Sequence, residues 1–131
     1  MKLSLLALAL LAQNPPAPVP RPDWQVVHSD GGLTVYLDPG SARRTGDVVR
    51  ISVHSTAAAA SQDGMAATSM VMEFDCRLRT VAMVEAHAYG AGGVYLDGGP
   101  TPPDERRPRP WEGSDEEDVA QRACAVQPAA R

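Results

Sequence analysis

The sequence predicts an α+β fold: a small antiparallel β-sheet of five or six strands with one C-terminal α-helix packed on it and tied by one disulfide. Three observations carry this. Apolar and polar residues alternate in short runs separated by Gly- and Pro-rich turns, the period of strands with one buried face. One run near the C-terminus, Val119, Ala120, Ala123 and Cys124, has instead the i, i+1, i+4, i+5 spacing of a helical stripe. The two cysteines, Cys76 and Cys124, fall on the apolar face of a strand and on that stripe.

The chain opens with Met1-Lys2, then runs from Leu3 to Ala12 with apolar residues and one serine. A positive charge followed by a ten-residue apolar run has the form of a secretory signal peptide over residues 1–12. It is too short for the roughly 20 residues a membrane-crossing helix needs, so no span is expected in the mature chain. A buried N-terminal helix is the competing reading, but Pro15, Pro16, Pro18, Pro20 and Pro22 would cut it off from the fold. No cysteine lies near residue 13, so the exported chain is not expected to be a lipoprotein. Residues 13–22 form a proline-rich leader, expected to be extended, and residues 23–127 a single domain.

Trp24 to Ser29 and Leu33 to Asp38 flank Asp30-Gly31-Gly32 and read as a hairpin, with Trp24, Val26 and His28 on one face. Asp38-Pro39-Gly40-Ser41 reads as a turn. A third strand, 48–54, turns Val49, Ile51 and Val53 to one side; a loop follows from Ser55 to about Ala66. Residues 67–77 place Met70, Met72, Phe74 and Cys76 together, and residues 78–89 place Leu78, Ala82, Val84 and Ala86 together. Gly90-Ala91-Gly92-Gly93 then leads into a short strand at 94–96. Asp97 to Gly113 is a proline-rich connector. Ser114 and Glu117 have capping-box spacing, and the helix is expected to reach about Val126, ahead of Pro128.

With Cys76 and Cys124 both turned to the core, export favours a bond between them over two buried thiols. By loop entropy, closing about 49 residues contributes roughly 4 kcal/mol, a large addition to a core poor in aromatics.

The formal net charge of −4 lacks the basic face that nucleic-acid binding needs. His28, His54 and His87 lie on three strands with no paired ligand spacing, so neither a metal nor a cofactor is expected. Glu73, Asp75, Arg50, Arg77 and Arg79 suit a cross-strand charge ladder on a solvated face. Glu112, Asp115, Glu116, Glu117 and Asp118 suit a helix N-terminus better than a cation loop. Gly-x-Ser-x-Gly is missing, as are a free nucleophilic cysteine and spaced catalytic carboxylates, which points away from an enzyme.

The succession Val35-Tyr36-Leu37-Asp38-Pro39-Gly40-Ser41, Gly46, Val48-Val49-Arg50-Ile51, Glu73-Phe74-Asp75-Cys76 with Arg77 and Arg79, Tyr89-Gly90, and Trp111 ahead of Cys124 resembles the surface-adhesin protein E family. The resemblance covers Trp24 to Cys124. It implies export by a Gram-negative bacterium, to the periplasm or cell surface, and adhesion to protein ligands such as host matrix components. The partner is expected to be a protein, met by edge strands and by Arg106, Arg107, Arg109 and Trp111 of the connector. The alternative is a periplasmic enzyme inhibitor or envelope accessory protein.

Overall fold

Residues 14–126 are described by the computed structural model; the expected signal peptide and Pro128 lie outside them. The alternating runs become β1 (Gln25–Asp30), β2 (Leu33–Thr45), β3 (Val48–Ala57), β4 (Ala67–Asp75), β5 (Thr80–Tyr89) and β6 (Tyr95–Pro100). Each strand pairs antiparallel with the next, and a two-residue strand, β7 (Arg109–Pro110), pairs with the start of β5. The helix, α1 (Gly113–Ala125), packs against β1 to β4. The face beneath it is called inner here, the opposite face outer.

Leu37, Val49, Ile51, Val53, Met72, Phe74 and Val81 from the sheet, with Ala120 and Ala123 from the helix, form the buried inner core. Small helical side chains let α1 approach the sheet closely. Val119 and Cys124 pack at its margin, so the helical stripe read from the sequence is the stripe that is buried. Cys76 and Cys124 are joined, with Cα atoms 5.9 Å apart. Arg44 of β2 donates from Nη2 to the Cys124 carbonyl at 2.7 Å, supplying a cation and a donor where the helix carbonyls lack partners.

Bulges change two of the expected faces. The β1–β2 register shifts between Val26 and His28, making Val27 the buried residue and leaving Val26 51% exposed. Trp24 and Val26 therefore belong to the outer side, and His28, opposite Val35, to the inner. On β5 the register shifts at Val84: Met83 lies opposite Met72 and Ala86 opposite Met70, while Ala82 pairs with Glu73. The expected common face of Leu78, Ala82, Val84 and Ala86 is thus split, with Leu78 in the preceding turn.

Asp38-Pro39-Gly40-Ser41 is a wide bulge within β2: between the pairs Asp38–Ser52 and Arg43–Arg50, four residues of β2 pass opposite one, Ile51, on β3. The local turn chemistry is real. Asp38 Oδ1 accepts from the Gly40 amide at 3.2 Å, Ser41 Oγ donates to the Asp38 carbonyl at 2.7 Å, and the Ser52 amide bonds Ser41 Oγ at 2.9 Å. Chain reversal comes instead at Gly46, whose φ of +58° suits the tight hairpin.

The strand expected at 94–96 extends to Pro100, through Gly98 and Gly99. Gly98 has φ +144°, and a Cβ there would meet the Ala86 carbonyl oxygen and come within 2.6 Å of His87 Cα. The connector residues Arg109 and Pro110 form β7, an element with too few residues to show a period. The helix begins two residues early, with Glu112 at the N-cap and no side-chain cap bond, so Ser114 does not act as the predicted cap. The Glu116 carboxylate accepts from the Glu112 amide at 2.8 Å instead.

Candidate binding face

The bulges build one rung across the outer face: Val26, Tyr36, His54, Ser69, His87 and Gly98 lie opposite one another from β1 to β6. The chain has three tyrosines and two tryptophans. All the tyrosines and Trp24 gather on or beside this rung. The Trp24 ring stacks on His54 at 4.2 Å with planes 10° apart, and lies 6.0 Å from Tyr36. At the other end Tyr95 lies 5.7 Å from His87 and meets Tyr89 edge-on at 5.5 Å.

Burial lowers the His54 pKa from 6.5, Asp38 opposing and Arg21 adding to the shift. Its Nδ1 shares a 2.9 Å hydrogen bond with Ser69 Oγ. The contact has the outline of a nucleophilic dyad. Yet Ser69 is within an interior strand, where neighbouring backbone amides are committed to ladders with β3 and β5 and none is left to hold an oxyanion.

His87 is held at both ring nitrogens, Nε2 to Glu85 at 2.6 Å and Nδ1 to the Tyr95 hydroxyl at 3.0 Å. An ionised carboxylate only accepts, which assigns the Nε2 proton; in the neutral ring Nδ1 then accepts from the tyrosine. The three histidines do not converge. His28, inside, faces Asp30 at 3.0 Å and Asp115 at 3.5 Å; the Asp30 bond chiefly raises its pKa, with Asp115 adding to it. Among the described residues no group of three or more His, Cys, Asp or Glu side chains is arranged to hold a metal ion.

The proline-rich leader crosses this face. Pro15 accepts through its carbonyl from the Tyr89 hydroxyl at 2.8 Å. The Arg21 guanidinium lies 5.9 Å from the centre of the Trp24 ring, and the Arg21 carbonyl accepts from the Trp24 amide at 3.0 Å. A groove of about 380 Å³ runs between leader and sheet, with Pro16 and Pro18 on one wall and Trp24, Asp38, His54 and Ser69 on the other. Sequence reasoning missed this face because a polyproline run has no period and the Val27 bulge hides which side Trp24 takes.

The connector residues singled out in the sequence are placed differently. Trp111 Nε1 donates to the Thr80 carbonyl at 2.9 Å, its ring packs against the core, and the Arg79 guanidinium covers it at 4.6 Å. Arg109 forms a two-pronged pair with Glu116, 2.6 and 2.7 Å, which lowers the Glu116 pKa. Arg106 donates to the Thr101 carbonyl at 2.9 Å. Arg107 is exposed. The acidic helix start is an anchor: Asp115 faces His28, Glu116 pairs with Arg109, and Glu117 with Arg79. Of the expected charge ladder, Arg50 and Glu73 pair across strands at 3.0 Å, while Arg77 turns to Asp47.

The chain is thus a disulfide-tied antiparallel meander with a helix on one face and an aromatic rung on the other. The sequence model of surface-adhesin protein E matches residues 24–125, and the chain belongs to that family. No curated protein and no solved structure matches it. No helix among the described residues is long and apolar enough to cross a membrane.

Proposed function

We propose that the protein is an exported, non-enzymatic adhesive module of a Gram-negative bacterium that attaches to a protein surface, with host matrix components as the concrete ligand class. The family match over residues 24–125 supports this reading. Export agrees with the signal-like residues 1–12, with a disulfide that needs an oxidising compartment, and with a chain whose two cysteines are both in that bond. Partner contact is assigned to the connector through Arg107, which is exposed, and Arg106, half-buried and bonded to the Thr101 carbonyl, while Arg109 and Trp111 brace the loop.

The test is retention of the purified exported chain on immobilised host extracellular-matrix proteins, with serum albumin as control and cell-envelope fractions in parallel. Saturable retention on matrix protein, weakened at least fivefold in Arg106→Ala/Arg107→Ala, is expected; a loss of this size corresponds to about 1 kcal/mol. Capture by an envelope component with none by matrix protein would establish the inhibitor or accessory role in its place.

A further inference from the structure

Residues 14–22 precede the stretch shared with the family, yet they lie along the aromatic rung. Five of the nine are proline. Each proline fixes its own φ, and steric clash keeps the residue before it out of the helical region, so local chemistry holds this segment near polyproline II. Such a rod lacks most of the amide donors needed to extend a sheet. What it offers is carbonyl oxygens and ring faces.

The outer face is built to receive both. Tyr89, Tyr95, His54 and Trp24 give flat apolar surfaces, and the Tyr89 hydroxyl already donates to the Pro15 carbonyl at 2.8 Å. Trp24 Nε1 is a second aromatic donor on the same side, buried and without a partner among the described residues. Aromatic walls with a few ring-borne donors aimed at carbonyls are how grooves recognise proline-rich ligands.

We propose that the outer aromatic face is a recognition groove for an extended, proline-rich polypeptide segment of a partner protein, and that residues 14–22 are its intramolecular occupant, displaced when the partner binds. This rests on the reading of the protein as a binding module and names the class of segment it takes. A tethered occupant competes at an effective concentration on the order of millimolar, so the groove admits a partner only when the partner binds tightly or the leader is loosened.

The experiment measures fluorescence anisotropy of a labelled peptide with the sequence of residues 14–23, and of a control with every proline replaced by alanine. The whole exported chain is used as wild type, as Pro16→Ser/Pro18→Ser/Pro20→Ser, and as that variant with Tyr89→Phe. The loosened variant should bind the proline peptide at least about tenfold more tightly than wild type. Tyr89→Phe should then weaken it about fivefold, the expected loss for one hydrogen bond. Failure of the loosened variant to bind saturably while keeping a wild-type circular dichroism spectrum overturns the proposal, as does equal binding of the alanine control. A concentration-dependent wild-type dimer that exchanges leaders and excludes the peptide overturns it in favour of a second copy as occupant. Because the peptide is assayed directly, its failure to bind beside intact matrix retention sinks this inference alone, and loss of matrix retention beside intact peptide binding sinks only the matrix assignment.

Discussion

Burial beneath the Trp24 indole disfavours the charged form of His54, whereas the hydrogen bond to Asp30, with the nearby Asp115 carboxylate, favours the charged form of His28 against its partial burial, so the two imidazoles are displaced from 6.5 in opposite directions. The stability consequences differ in sign. A depressed folded value means that the unfolded chain binds more protons, so the contribution of His54 is complete above about pH 6.5 and is lost as pH falls toward its folded pKa. His28 contributes fully below 6.5 and loses its contribution as pH rises through its raised value. A proton NMR titration of the ring C–H signals should give a His54 midpoint below 6.5 and a His28 midpoint above it. A His54 midpoint at or above 6.5 would show that the indole does not cover the ring.

Two elements from distant parts of the sequence meet at the disulfide: the end of β4 and the last turn of α1, 48 residues apart. The helix contributes mainly alanines to the core, so little apolar area holds it beyond the bond and the Asp115, Glu116 and Glu117 pairs at its start. Exposed pairs of that kind contribute modestly. Cys76→Ser/Cys124→Ser should therefore cost about 2 to 5 kcal/mol in urea unfolding. A stability within 1 kcal/mol of wild type would show that the bond is dispensable. The pairing was legible because each cysteine sat on an apolar face whose period, 2 or 3.6, needed no help from the rest of the fold. Strand interiors such as Val49, Ile51 and Val53 were legible for the same reason. Bulges were not. At Val27 and Val84 one extra residue reverses every later face without changing composition, and at Asp38-Pro39-Gly40-Ser41 the residues that make a turn also make a bulge. The placement of the leader and of β7 depends on contacts made only after the sheet has formed.

At the scale of the whole molecule, one sheet carries two coverings, α1 inside and the leader outside, with strand backbone between them. Ala123 is fully buried on the inner face, and Tyr89 reaches the leader through the hydroxyl bond to Pro15. Ala123→Gly removes a buried methyl and adds the backbone freedom of glycine to a helix interior, a cost of about 1 to 2 kcal/mol. Tyr89→Phe deletes one hydrogen bond and keeps the ring, costing about 1 kcal/mol. The residues share no side-chain partner in the hydrogen-bond network and lie on opposite sides of the sheet, so the two losses should add. Urea unfolding of the two single variants and the double variant should give an interaction energy below about 0.5 kcal/mol, the usual limit for independent sites. The sheet would then act as a rigid partition, and displacement of the leader would leave the helix and its disulfide undisturbed. An interaction energy above about 1 kcal/mol would show instead that the two coverings are coupled through the strands, so that occupancy of the outer face alters the packing of the inner one.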